Sequence, residues 1–253
     1  MTDPIPAATL VLFRARAGDA PELRPELLIV ERTRTMAFAA GALVFPGGRI
    51  DPGDRTLAQG FTGDRDDLAG RIAAIRETIE EAGVMVGVTP IPEAQALTAL
   101  RSALHAGCPF GEALADAGAT LDPHALVPFA RWCPRHAATR IFDTRFYLAQ
   151  APTDAPEPVV DATETSRAFW ASAQGVLDQV AAGGAHLIFP TRRNLERLAL
   201  YASFEEAVAD ARARPARTVT PWTEDRDGIE HLCIPDDLGY PVTAETLARA
   251  MRG

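Results

Sequence analysis

The stretch Arg76-Glu77-Thr78-Ile79-Glu80-Glu81-Ala82-Gly83-Val84 constrains what this chain can fold into more than any other segment. Leu68, Ile72, Ile75 and Ile79 recur at steps of four, three and four. That is one apolar stripe of a helix spanning about 67–82, packed against a core. Glu77, Glu80 and Glu81 stand at i, i+3 and i+4 on the opposite side. Like charges so placed repel by roughly 0.2–0.5 kcal/mol per pair. A purely structural helix gains nothing from that. A hard divalent cation reverses the sign, because Mg2+ or Mn2+ takes carboxylate oxygen and shares its coordination with phosphate oxygens. A solvated acidic face ending at Gly83 is the alternative.

Upstream, Phe45-Pro46-Gly47-Gly48-Arg49-Ile50-Asp51-Pro52-Gly53-Asp54 forms a loop rich in Gly and Pro after the short apolar run Ala42–Val44. Glycines there allow close approach of backbone to a ligand. Together the two segments resemble the Nudix box, G-x5-E-x7-R-E-U-x-E-E-x-G-U, where U is a bulky aliphatic residue. Gly48 opens it; Arg76, Glu77, Glu80, Glu81, Gly83 and Val84 fill its second half. Thr78 stands at an aliphatic position and Asp54 at the first acidic one, where Glu is usual. An insertion at about 55–68 separates the halves and reads as a surface loop, with Asp66 or Asp67 as the cap of the following helix.

The resemblance implies an α/β fold, a Nudix-type α/β/α sandwich around a mixed sheet. It places a Nudix domain at 1–200 and a helical extension at 201–253 packed on the core. The pattern of residues is compatible with this. Ala8–Arg14, Glu26–Glu31 and Ala42–Val44 read as strands, Ala125–Trp132 as extended, with Pro128 confining it to an edge or a loop, and Thr139–Ala149 as a strand. On the last of these, Phe142, Thr144, Phe146 and Leu148 share one face; Ile141, Asp143, Arg145 and Tyr147 share the other. Ile91–Ala106, Phe110–Ala117, Ser172–Ala182, Thr191–Tyr201, Ser203–Ala213 and Thr243–Met251 read as helices, with Ser172 a cap.

Net charge is −9, and every basic residue is Arg. An acidic chain without a basic run excludes a nucleic-acid binder of the electrostatic kind but not a nucleotide substrate. No run reaches the roughly 20 apolar residues of a membrane span. Cys108, Cys133 and Cys233 are odd in number and lack metal-ligand spacing, so they read as reduced. The five histidines show no metal spacing either. With no signal peptide at its start and no peroxisomal signal at its end, the chain reads as a cytoplasmic protein.

Further segments narrow the resemblance. Arg131-Trp132-Cys133-Pro134, then Arg140-Ile141-Phe142-Asp143-Thr144-Arg145-Phe146, Glu164 six residues before Trp170, and Phe189-Pro190-Thr191 are similar to the coenzyme A diphosphatases of the mammalian peroxisomal type. Arg32, Gly41 and Phe45-Pro46-Gly47-Gly48 fit that group's upstream pattern; Thr33 replaces Ser or Ala, and Ala37 stands where a second Arg is usual. The resemblance implies metal-dependent cleavage of coenzyme A or an acyl-coenzyme A to 3',5'-ADP and phosphopantetheine. An ADP-ribose or dinucleotide diphosphatase, or a nucleotide sensor that does not hydrolyse, are the alternatives.

By the same resemblance Glu77, Glu80, Glu81 and the Gly47 carbonyl are candidate ligands of Mg2+ or Mn2+. Arg76 is expected to hold Glu80 from one turn away, and Glu164 is the candidate general base, with a solvated loop Glu as its alternative. Arg32 and Arg34, just before the glycine loop, Phe45 and Gly48 within it, and Arg145 are the candidate substrate contacts. Solvated side chains are the alternative for Arg32 and Arg34, and a same-face ion pair with Asp143 is the alternative for Arg145. Trp132 and Phe142 read as core or as ligand-stacking. The expected partner is a small nucleotide substrate, and a homodimer is compatible with the family, in which many relatives are dimers.

Overall fold

The computed structural model describes residues 3–15, 24–33, 39–134, 140–152, 155–160 and 164–250. Its centre is β1 (Ile5–Arg14), apolar on both faces: Val11 and Phe13 enter one core cluster, Ala8, Leu10 and Leu12 the other. A strand buried on two sides reads as a continuous hydrophobic run, and this one does. β2 (Glu26–Arg32) joins β1 antiparallel only at its far end, Phe13↔Leu27 and Arg14↔Glu26. Then β3 (Leu43–Val44) pairs with β2, and β4 (Gly47–Arg49) returns to β1 at Ala7–Thr9. The sheet therefore forks between β2 and β4, and the glycine loop sits in the fork.

The segment 55–68 is not a plain loop. Pro52–Ala58 forms α1, begun by Pro52 in its first turn and by the Asp51 N–H, which donates to Asp54 Oδ2 at 2.9 Å. The long helix, α2 (Arg65–Ala82), is capped by Asp64, whose Oδ1 accepts the Asp67 N–H at 2.8 Å, rather than by Asp66 or Asp67. Three aspartates within four positions each suit a cap, and the one that stays extended wins. Leu68, Ile72, Ile75 and Ile79 of α2 are buried against β1, as the periodicity predicts.

After β5 (Val88–Thr89), α3 (Ala94–His105), α4 (Phe110–Asp116) and β6 (Thr120–Leu121), the chain re-enters the sheet as β7 (Val127–Trp132) and β8 (Phe142–Gln150). β8 lies parallel to β1 along its whole length, Ile5↔Phe142 to Phe13↔Gln150. Next comes β9 (Thr165–Ser172), a strand the sequence reading leaves unassigned, antiparallel to β2. The helices α5 (Ala173–Ala181), α6 (Phe189–Leu198) and α7 (Phe204–Ala213) cover the face opposite α2. The result is the mixed-sheet sandwich expected.

Residues beyond 213 depart from the expected helical extension. β10 (Thr218–Val219) adds to the edge of the main sheet beside the end of β7, at Arg131 and Trp132; Pro128 lies outside that pairing, at an irregularity in the pairing of β7 with β8. β11 (Trp222–Arg226), β12 (Ile229–Cys233) and β13 (Ala244–Thr246) form a separate three-stranded sheet before the short α8 (Leu247–Ala250). The signal for the β11–β12 hairpin is Asp227-Gly228. Both residues have positive φ, 55° and 80°, as a two-residue hairpin turn requires. Leu232, Ile234, Leu238 and Tyr240 join the same core cluster as Val11 and Phe13, so no break in packing marks residue 200. Among the described residues no helix is long and apolar enough to cross a membrane.

Candidate active site

A cavity of about 560 Å³ opens where the C-terminal half of α2 meets the fork in the sheet. Arg76 organises its acidic wall. The guanidinium is buried and grips Asp54 with two parallel bonds, Nε to Oδ1 at 3.0 Å and Nη2 to Oδ2 at 2.9 Å. Nη1 donates to Glu77 Oε1 at 2.9 Å and Glu80 Oε1 at 3.1 Å, and Nη2 donates to the Arg49 carbonyl at 3.0 Å. Burial works to lower the Arg76 pKa, but Asp54, Glu77 and Glu80 outweigh it and raise it. Asp54 is only 1% exposed. Asp54 is thus an anchor for Arg76.

Glu81 is buried, and its Oε2 accepts the Gly47 N–H at 3.0 Å. Ladder bonds Leu10 N–H to Pro46 O (2.9 Å) and Ile50 N–H to Pro6 O (3.0 Å) flank Gly47. Gly47 thus occupies a non-hydrogen-bonded position opposite Thr9, where N–H and C=O both turn away from β1. Gly48 lies against Glu77: a Cβ there would come within 2.3 Å of Glu77 Oε1. Because that neighbour is the end of a flexible side chain, Gly48→Ala should fold normally and displace the carboxylate. Turnover is expected to fall roughly 10²-fold with the melting temperature nearly unchanged; steady-state kinetics beside a thermal melt checks it, and full activity would contradict it.

The α2 carboxylates are not on a solvated face. Burial pushes the Glu77 pKa up to about 7, with Glu80 and Asp54 adding to the rise and Arg76 opposing it. Burial, then the neighbouring Glu77, raises Glu81 well above the usual carboxylate range, and burial raises Glu80. Among the described residues no three Asp, Glu, His or Cys side chains converge at metal-binding geometry. The donor chemistry nonetheless fits a hard cation: crowded carboxylates that hold protons too tightly, beside an outward carbonyl at Gly47.

This has a consequence for stability. Glu77 and Glu81 bind protons more tightly folded than unfolded, so without a cation stability falls as pH rises from the ordinary carboxylate range through about 7. A bound cation offsets the repulsion that the ionised groups create. The rise in melting temperature on adding Mg2+ or Mn2+ should therefore be larger at pH 8 than at pH 6, by roughly 2–4 °C for each kcal/mol of added binding. Equal rises at both pH values would contradict it.

The rest of the predicted set divides. Arg32, Phe45, Gly47, Gly48 and Glu164 line the cavity with the α2 glutamates. Arg32 Nε is buried without a hydrogen-bond partner among the described residues, and its charge reaches Glu81. Glu164 is exposed at the rim, where its carbonyl accepts the Thr33 N–H at 2.9 Å and its own charge also reaches Glu81. Arg34 lies outside the described residues, as does Ala37. Arg145 is corrected: strand alternation turns it to the other face of β8, under the start of α2, 3.8 Å from Asp67. Asp143 pairs with Arg131 of β7 at 2.6 and 2.7 Å, not with Arg145. Arg49, Arg140 and His105 also line the cavity. Arg49 and Arg140 lay in segments the sequence reading singled out, but none of the three was named for a role.

Part of the lining is apolar. Val44, Trp132, Phe142, Phe146, Ile188 and Pro190 make it up. One cavity thus joins a carboxylate wall, a rim of guanidinium groups and an apolar lobe.

The chain is similar to a Nudix hydrolase from Alicyclobacillus acidocaldarius of known crystal structure. It is 30% identical, covers 83% of this chain and 97% of that one, and superposes with a TM-score of 0.71. It is 28% identical over 177 residues to "Putative nudix hydrolase 7" of Caenorhabditis elegans, covering 68% of this chain. It spans 55% of the length of that curated relative. No family model matches the sequence.

Proposed function

The chain belongs to the Nudix hydrolases, and from that premise we propose that it hydrolyses the diphosphate linkage of coenzyme A or an acyl-coenzyme A. The observation that carries the reading is the union, in one cavity, of the α2 carboxylates, guanidinium groups and an apolar lobe. Coenzyme A needs all three, having a diphosphate, a further phosphate and a long uncharged arm.

Glu77, Glu80 and Glu81, with the Gly47 carbonyl, would hold Mg2+ or Mn2+, which when bound neutralises phosphate charge and acidifies coordinated water. Arg76, gripped by Asp54, keeps Glu77 and Glu80 turned into the cavity. Arg32, Arg49 and Arg140 are the groups to receive phosphate oxygens, Arg32 through a donor that has no other partner among the described residues. Glu164, exposed in the lining of the cavity, would take the proton of the attacking water, which adds to one phosphorus as the other phosphate departs. The apolar lobe takes the uncharged arm and excludes water beside the reacting bond.

The test is hydrolysis of coenzyme A, acetyl-coenzyme A, ADP-ribose, NADH and diadenosine polyphosphates with Mg2+ or Mn2+. Selective release of 3',5'-ADP from coenzyme A supports the reading. Selective cleavage of another compound keeps the chemistry and removes the substrate. Binding without turnover would indicate a sensor.

A further inference from the structure

A hydroxyl far along the chain holds two walls of the apolar lobe together. Trp132, the last residue of β7, lines the cavity while only 1% exposed. Its Nε1 donates to the Tyr240 hydroxyl at 3.0 Å, and the two rings meet edge to face with centroids 5.6 Å apart. The Tyr240 hydroxyl donates in turn to Asn194 Oδ1 at 3.1 Å. Asn194 is fully buried one turn along α6 from Thr191, and Ile188, Pro190 and Thr191 at the head of that helix line the cavity. Phe189 also meets the Trp132 ring edge to face, at 6.0 Å.

The segment that delivers Tyr240 is itself anchored. Ile234 N–H donates to the Thr243 carbonyl at 2.9 Å, and Arg193 Nη1 donates to the Val242 carbonyl at 3.2 Å. Arg197 lies over the Tyr240 ring at 5.4 Å and over Phe129 at 4.2 Å, with its charge met by Asp210 Oδ2 at 2.7 Å. Phenylalanine would fill nearly the same volume. What the hydroxyl adds is a directional link between β7 and α6, since a buried indole N–H and a buried amide oxygen both need a partner. None of the hydrogen bonds described for Glu77, Glu80 or Glu81 involves these groups.

We propose that Tyr240 is a positioning residue that sets the spacing of the apolar lobe and thereby selects the uncharged arm of the substrate. It acts through Trp132 and α6, not on the phosphates. The inference rests on the reading of this cavity as the diphosphate-cleaving site.

The test is Tyr240→Phe, assayed on whichever diphosphate the wild type cleaves, with ADP and phosphopantetheine as competitors. KM is expected to rise roughly three- to tenfold with kcat within about twofold, the size of one lost buried hydrogen bond. Inhibition by phosphopantetheine should weaken by a similar factor, and inhibition by ADP should not. Trp132→Phe, which breaks the link from its other end, should give the same split, and the double variant no more than either alone. An unchanged KM, a fall in kcat at constant KM, or equal weakening of both competitors would overturn the inference. A wild type that leaves coenzyme A intact but cleaves another panel compound would remove the substrate reading, and an unchanged KM of Tyr240→Phe on that compound would overturn the inference as well.

Discussion

Glu81→Gln is expected to lower turnover roughly 10²- to 10⁴-fold, the several kcal/mol that a correctly held cation contributes to phosphoryl transfer. The substitution keeps the shape of the side chain. A carboxamide oxygen can still accept the Gly47 N–H that Glu81 Oε2 now accepts at 3.0 Å. What is lost is one negative charge from a buried set in which burial and mutual repulsion already raise the proton affinity of Glu77 and Glu81. The cation-free variant should therefore melt no lower than the wild type, and above pH 7 somewhat higher. Cation titration followed by melting temperature should lose most of its response. Turnover within tenfold of wild type, at saturating cation, would show that Glu81 is not a ligand. Glu164→Gln provides the contrast: being exposed at the rim, it should leave the response to cation intact and lower kcat alone if it accepts the proton.

The acidic wall was legible in the sequence because one helix carries it. A stripe at steps of four, three and four fixes which side of α2 is buried, and the glutamates then have one place to go. What sequence could not give is that their side is also covered, by the glycine loop and by Asp54. The segment leading into α2 was misread as plain loop because Pro52-Gly53-Asp54 is punctuation in a loop and equally a first helical turn once Asp54 accepts the Asp51 N–H. Arg145 was misplaced although the alternation of β8 had already put it opposite Phe142, Thr144 and Phe146; the resemblance was allowed to outweigh the pleat. The hairpin at Asp227-Gly228 carried its own signal, which the surrounding Pro and Trp obscured. Tyr240 was out of reach for a different reason. It touches Trp132 across 108 positions of sequence, and no local pattern encodes a contact of that range.

Asp54→Ala should be the most destabilising single change at the site, by about 3–5 kcal/mol, since it strips a buried guanidinium of its bidentate partner without removing the charge. On a domain of this size that is roughly 6–20 °C in melting temperature. Glu77 and Glu80 cannot make good the loss, because each already accepts one bond from Nη1 and is drawn towards the cavity. If Arg76 turns to them, they are pulled from the positions in which they would hold a cation, so activity should fall further than stability alone explains. Asp54→Asn keeps the oxygen and loses the charge and one acceptor, and should fall between. The decisive comparison is with Arg76→Leu and the double variant. If Asp54 acts through Arg76, the double variant is more stable than Asp54→Ala, because it no longer leaves a buried guanidinium without its bidentate partner. Additive losses, or an Asp54→Ala protein within about 1 kcal/mol of wild type by denaturant melt, would mean that Asp54 does not anchor Arg76 in solution.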